Sequence, residues 1–192
     1  STACPMIYPT QIDTPRLTTR PVTLADQDIW AEFLADPEAT RYLPNPEGHS
    51  PAQRAELWME RQIGRYQDGS FGLMALIHRE TGAFIGQCGL LIQSIDDAHE
   101  LEVGYHILPR YWRQGYAMEA ARAFRDFGFE NSSYDSIISI ILTGNLGSQA
   151  VARRNGMHFE KEARFRELDV VVYRIHRAQW LQNKTTQAPV SR

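Results

Sequence analysis

Residues 101–128, LEVGYHILPRYWRQGYAMEAARAFRDFG, decide the fold of this chain. Leu101, Val103, Tyr105 and Ile107 alternate with Glu102, Gly104 and His106, the period of a strand with one apolar face. Glu102 falls on the other face. Gly104 within the run predicts a bulge or a close backbone approach. Further on the period changes: Ala117, Ala120, Ala121, Phe124 and Phe127 share one helical stripe, while Glu119, Arg122, Arg125, Asp126 and Glu130 share the opposite one. Between strand and helix lies a basic loop with a glycine. The backbone N–H groups of Arg113, Gln114, Gly115, Tyr116 and Ala117 stand where the helix starts, so they lack intrahelical acceptors and meet the positive end of its macrodipole. That arrangement suits an anion, and a phosphate-bearing ligand fits it.

Working outward, Ile137, Ile138, Ile140, Ile141 and Leu142 form a nearly continuous apolar run, as expected of a central strand covered on both faces. A helix is expected over about 148–155, ending at Gly156. Strand 101–107, helix 117–130, strand 136–142 and helix 148–155 make a βαβα unit with parallel strands and a right-handed crossover. Loops 108–116 and 143–147 then converge on one cleft beyond the strand ends. Upstream, a helix runs from Thr23 to about Leu34, and Ser50-Pro51-Ala52-Gln53 is a capping box opening a longer helix to about Gln67. The proline-rich stretch 36–46 between them predicts a short turn and an exposed loop. Strands are expected over 71–78 and 83–93, and a hairpin over 157–166 and 170–175.

The chain has 192 residues, 43% hydrophobic and 22% charged, enough for one sizeable core. A single domain over 12–180 is expected, with 1–11 and 181–192 loosely held. A net charge of -3 and a pI near 6.1 argue against broad adhesion to nucleic acid or to a membrane surface. No apolar run approaches the roughly 18 residues that cross a bilayer. Cys4 and Cys88 read as two reduced thiols, which implies a cytoplasmic setting. The six histidines show no metal-ligand spacing, so no metal is expected. Neither G-x-G-x-x-G nor G-x-x-x-x-G-K-[ST] occurs, which disfavours Rossmann and P-loop chemistry.

At these residues the chain resembles the GNAT superfamily of acyl-CoA N-acyltransferases, most closely its RimJ/RimL branch of ribosomal-protein N-terminal acetyltransferases. The resemblance runs in order through Thr14-Pro15-Arg16-Leu17, Thr81-Gly82-Ala83-Phe84-Ile85-Gly86, Val103-Gly104-Tyr105, Tyr111-Trp112-Arg113-Gln114-Gly115-Tyr116-Ala117, Asn145-Leu146-Gly147-Ser148 and Asn155-Gly156-Met157. It implies an α/β fold of the GNAT type: a splayed, mostly antiparallel sheet flanked by helices, with the pantetheine arm of acetyl-CoA between two parting strands. It also implies an acetyl-CoA co-substrate held by Ile107, Leu108, Arg113, Gln114, Gly115, Tyr116, Ala117 and Asn145. One position departs from the pattern. Trp112 stands where the superfamily loop usually carries Arg or Gln, so that charge contact is not carried over.

Moving an acyl group from a thioester to an amine needs a neutral amine, support for oxyanion charge and a proton for the departing thiolate. Glu102 is the candidate general base, acting through water, with Glu100 as fallback; its plainer alternative is a solvated strand carboxylate. By resemblance, Ser148 can serve the thiolate, whereas a hydroxyl there is also a common helix N-cap. Tyr173 is another candidate acid, and Arg41 and Tyr42 are candidate acceptor-pocket residues by resemblance. An α-amine with a pKa of about 7.7–8.0 is already roughly a tenth neutral at pH 7, whereas a lysine at about 10.4 is neutral in roughly one molecule of several thousand. This favours a peptide N-terminus over a lysine, without excluding small-molecule amines. The expected function is acetyl transfer to a primary amine in a ternary complex; the alternative is a catalytically silent acyl-CoA sensor. A homodimer is left open.

Overall fold

The computed structural model describes residues 8–9 and 11–186. Cys4 lies outside them. The elements are β1 (Leu17–Pro21), α1 (Gln27–Ala35), α2 (Pro37–Thr40), α3 (Pro51–Asp68), β2 (Phe71–His78), β3 (Phe84–Ile95), β4 (Ala98–Ile107), α4 (Tyr116–Asn131), β5 (Ser136–Leu142), α5 (Leu146–Arg154), β6 (His158–Phe165), β7 (Leu168–His176) and α6 (Arg177–Thr186). The strands form one seven-stranded sheet in the order β1-β2-β3-β4-β5-β7-β6. Every neighbouring pair is antiparallel except β4 and β5, which are parallel. No helix among the described residues is long and apolar enough to cross a membrane.

The apolar stripe of α4 lies on one face of the sheet, where Ala120, Ala121 and Phe124 join Leu101, Val103, Ile137 and Tyr173 in the main core. Phe124 is wholly buried, and a side chain of that size contributes roughly 2–3 kcal/mol on leaving water. On the other face α1 and α3 bury Trp30, Phe33, Ala55 and Met59 against Ala75 and Phe84. Past that helical cover, the same face carries a smaller cluster of Ile95, Ile138, Val170 and Val172. Glu102, in register with Ile138, belongs to this side. The Ser50 capping box opens α3 as the sequence predicts, and Gly69 closes it in the left-handed region.

Four local expectations are corrected. No bulge occurs at Gly104; the β3–β4 register is continuous from Gly86–Ile107 to Ile95–Ala98 because Gly104 faces Gly89. The glycine serves packing instead, since a Cβ there would press on the side chains of Leu91 and Leu73 at 3.3 and 3.5 Å. Strand β4 starts at Ala98, earlier than the apolar alternation, because its polar first residues pair with the end of β3. The expected loose ends are also partly fixed. Tyr8 wedges between β2 and β3, its hydroxyl donating to the Gly72 carbonyl and accepting the Leu90 amide at 2.9 Å. Helix α6 extends past residue 180 because Trp180 stacks on Phe129, 5.0 Å between ring centres, and Lys184 pairs with Glu130.

Gly89 leaves the room that Tyr8 fills. A Cβ at that position would run into both the Gly72 carbonyl oxygen and the Tyr8 hydroxyl. Gly89→Ala is therefore expected to destabilise the fold by about 2–3 kcal/mol. Urea denaturation checks this as a lower midpoint at unchanged slope.

Candidate active site

The turn from β4 into α4 follows from two residues in the left-handed region, Arg113 at φ 61° and Gly115 at φ 82°. Gly115 is the N-cap of α4 and supplies no capping side chain. As a result the amides of residues 113–118 donate to no acceptor among the described residues, the first closing bond being Glu119 N–H to the Gly115 carbonyl at 3.0 Å. Six successive donors face the loop's outer side at a helix start, a ready anion cradle. Arg113 is exposed and has no hydrogen-bond partner among the described residues, whereas the Gln114 side chain turns back to the Arg110 carbonyl at 3.2 Å.

The cradle is braced by the segment just before β1. Glu119 accepts from the Arg16 amide at 2.9 Å, from Arg16 Nε at 2.8 Å and from the Thr14 hydroxyl at 2.6 Å. Arg16 also donates to the Gln114 carbonyl at 2.8 Å and stacks 4.2 Å over the Tyr116 ring. Burial alone would raise the Glu119 carboxyl, but these donors hold it below the usual range. Sequence periodicity put Glu119 on a polar stripe and gave no sign of this role; the signal was the Thr14-Pro15-Arg16 run, far away in the chain. Trp112 replaces the missing charge contact with a structural one, its Nε1 donating to the Ile107 carbonyl at 2.7 Å.

Strands β4 and β5 pair in register only at Glu102 and Ile138, then part. Past that point main-chain pairing gives way to side chains: Ser139 Oγ donates to the Val103 carbonyl at 2.8 Å, and the Ile140 amide donates to Glu102 Oε2 at 2.7 Å. Gln93 Nε2 donates to the other Glu102 oxygen at 3.1 Å. Val103 and Ile107 turn their carbonyls to the β5 side, so Tyr105, at the same parity, presents its N–H and C=O to the open gap.

Glu102 is 6% exposed, so it is no solvated strand carboxylate. Burial pushes its carboxyl up to about 7, against the pull of the Ile140 amide, Gln93, Arg65 and Arg166. Glu100, the fallback, is bound by Arg174 at 2.7 Å and is not free.

Loop 143–145 closes the gap's far side. Asn145, not Ser148, is the N-cap of α5, accepting the Ser148 amide at 3.2 Å, which is why α5 starts at Leu146. The Ser148 hydroxyl has no partner among the described residues, and the Tyr105 hydroxyl donates to the Ser148 carbonyl at 2.8 Å. The Tyr173 hydroxyl is taken up by Gln149 and Arg153. Tyr42 reaches this loop, since a Cβ on Gly144 would sit 3.9 Å from its ring; Arg41 is exposed, 5.4 Å over that ring. Ile107 and Leu108 are buried, and the Leu108 amide is bonded to Ile85, leaving main chain rather than side chain at the gap.

A sheet with one parting parallel pair, and an amide cradle at the mouth of the gap, defines an acyltransferase of mixed α/β architecture. Residues 16–158 match the family model described as Acetyltransferase (GNAT) domain, and the chain belongs to that family of N-acetyltransferases. It is 31% identical to the uncharacterized protein YkkB of Bacillus subtilis over 85% of this chain and 94% of YkkB. Three further Bacillus relatives named uncharacterized N-acetyltransferases are 27 or 28% identical over 78 to 81% of this chain and 83 to 86% of their own lengths. Among solved structures, an acetyltransferase from Agrobacterium tumefaciens superposes with a TM-score of 0.73 at 28% identity, covering 87% of this chain and 94% of that one. RimL, a ribosomal L7/L12 alpha-N-protein acetyltransferase in complex with coenzyme A, shares the fold with a TM-score of 0.69 at 18% identity, over 89% of this chain and 97% of that one.

Two outcomes follow from this geometry. Arg16→Ala, which strips the brace from Glu119, is expected to weaken acetyl-CoA binding about tenfold by calorimetry. Glu102 has a folded pKa of about 7 against an ordinary 4.5, so the folded state binds more protons between those values and its stability falls as pH rises through them. The melting temperature of Glu102→Gln minus that of the wild type should therefore grow from pH 5 to pH 7 and level off above.

Proposed function

We propose that this N-acetyltransferase moves an acetyl group from acetyl-CoA to a primary amine by direct attack in a ternary complex. The observation that carries the proposal is the run of unbonded amides at residues 113–118, opening beside the gap between β4 and β5. The pyrophosphate of acetyl-CoA is held by the amides of Arg113, Gln114, Gly115, Tyr116 and Ala117, with the Arg113 guanidinium above them. The pantetheine arm lies along the free edge of β4, where the Tyr105 carbonyl offers an acceptor as a neighbouring strand would. Ile107 and Leu108 flank it, and Asn145 fixes the opposite wall.

In the reaction the amine nitrogen bonds to the thioester carbonyl carbon, and the C–S bond breaks as the oxyanion collapses. The Tyr105 N–H is placed to polarise the carbonyl, which is the kind of preorganised donor that lowers such barriers most. Glu102 receives the amine proton, through water, and a carboxyl near 7 is half in its base form at neutral pH. The Ser148 hydroxyl, free of other partners among the described residues, gives its proton to the departing thiolate, which leaves as the thiol of CoA, and the proton taken up by Glu102 returns through water to the Ser148 oxygen. Arg41 and Tyr42 border the acceptor's approach. An α-amine, as at a protein N-terminus, suits a base of this strength better than a lysine does. A cytoplasmic setting fits the buried free thiol of Cys88.

Differential scanning fluorimetry with acetyl-CoA, NAD and ATP tests the cofactor: only the first should raise the melting temperature, and Gly115→Asp should abolish that rise by repulsion and crowding. Thiol release with a panel of amines tests turnover. Tight acetyl-CoA binding without thiol release from any amine would favour the silent acyl-CoA sensor instead.

A further inference from the structure

On the face of the sheet where Glu102 sits, the charges of Arg65 and Arg166, from two separate elements, act on its carboxyl, and Arg61 acts in turn on both arginines. Arg61 and Arg65 come from α3, and Arg166 comes from the turn between β6 and β7. Arg65 is half-buried, and burial is the main force that lowers its pKa; repulsion from Arg166 and Arg61 adds to this, and attraction from Glu102 and Asp68 opposes it. Arg166 feels the same three influences: burial, repulsion from Arg61 and attraction from Glu102. Among the described residues none of the three arginines forms an ion pair. The Arg65 guanidinium donates only to the Gln62 side chain, at 3.2 Å.

A cleft of about 410 Å³ reaches Arg166 of this cluster, lined by Gln93, Asp96, Asp97, Arg164 and Phe165 among others. Gln93 joins the cleft to the catalytic candidate, since its amide holds Glu102 Oε1 at 3.1 Å. The other charges of the cleft are largely balanced: Asp96 pairs with Lys161 and Arg164 with Asp169, each within 2.9 Å. Asp97 lines the rim and Asp68 lies at the end of α3. Arg61, Arg65 and Arg166 are set against Asp68, Asp97 and a Glu102 carboxyl that is itself only half ionised at neutral pH, which leaves a small positive excess. The chain as a whole carries a net charge of -3, so this excess is local.

Arg61 and Arg166 are exposed and Arg65 is half-buried, so water softens their mutual repulsion, but like charges that form no ion pair still favour an anion between them. An ordinary amine cannot meet that need, because it arrives as an ammonium ion and is repelled. A molecule with both an amine and an anion can: the anion engages the guanidiniums in charge-assisted, bidentate hydrogen bonds. The same positive field disfavours the ammonium form and so eases loss of its proton to Glu102.

We infer that the amine acceptor carries a carboxylate close to its amine, as an α-amino acid or a peptide with an acidic second residue does, and that Arg65 and Arg166 bind this group. The inference rests on the acetyl-transfer reading above, and it narrows the acceptor class that the sequence left open.

The test uses matched acceptors. Ser-Asp-Ala-Ala-amide is compared with Ser-Asn-Ala-Ala-amide, and alanine with alaninamide, each kcat/KM referred to the neutral-amine fraction. The anionic member of at least one pair should be favoured about tenfold or more, the worth of one charge-assisted hydrogen bond. Which pair shows the preference separates a peptide from a free amino acid as its source. In the double variant Arg65→Gln, Arg166→Gln the preference should vanish through KM, while acetyl-CoA affinity, measured by calorimetry, stays unchanged.

Equal use of both members of both pairs overturns the inference and leaves acetyl transfer standing. Survival of the preference in the double variant overturns it as well. If acetyl-CoA binds but no acceptor releases thiol, the transfer reading falls. In that case calorimetry of the same acceptors with the CoA-loaded protein decides: tighter binding of the anionic members, lost in the double variant, upholds the arginine site, and indifference removes it.

Discussion

Two parallel strands that part after a single paired residue leave main-chain donors and acceptors with nowhere to go, and buried groups of that kind are costly. The rest of this site is a set of answers to that constraint. Ser139 takes the Val103 carbonyl, Trp112 takes the Ile107 carbonyl, and the Glu102 carboxylate stands in for a strand carbonyl by accepting the Ile140 amide. The main-chain groups of Tyr105, at the same parity, have no such partner among the described residues. The gap is thus bordered by side chains that satisfy several of the main-chain groups the parting strands leave behind.

Glu102 joins structure and chemistry through the same bonds. Its burial raises the pKa, and the Ile140 and Gln93 donors limit the rise, so that the group ends near neutrality rather than permanently protonated. The two faces of the sheet divide the labour. The α4 side carries the packed core and the amide cradle; the α3 side carries Glu102, Gln93 and the arginines. In the proposed transfer, reactants from the two faces would meet where the sheet is parted.

Much of this was legible in the sequence because it depends on local rules. The change of period across 101–128, the Ser50 capping box and the apolar run 137–142 each mark their element directly, and Gly115 marks the cradle. What escaped depends on partners remote in the chain. Arg16 and Glu119 meet across about a hundred residues, and the charges of Arg65 and Arg166 are felt across a similar separation. Gly104 suggested a bulge because its partner Gly89 is visible only once the register is known. Ser148 and Asn145 exchanged capping roles since both are good caps, and only the loop's dihedral angles choose between them.

The chain has four tryptophans, and Trp112 is the one that stands out in solvent, 39% exposed, next in sequence to the amide cradle and tied by one hydrogen bond to the Ile107 carbonyl at the end of β4. Trp30 and Trp180 are deep in the core and Trp58 is partly covered. An indole so placed gives the protein a built-in optical probe: quenching by iodide should single out Trp112, and a nucleotide settling on the neighbouring backbone should shield it. Occupancy of the loop then becomes visible as emitted light, without a label and without turnover.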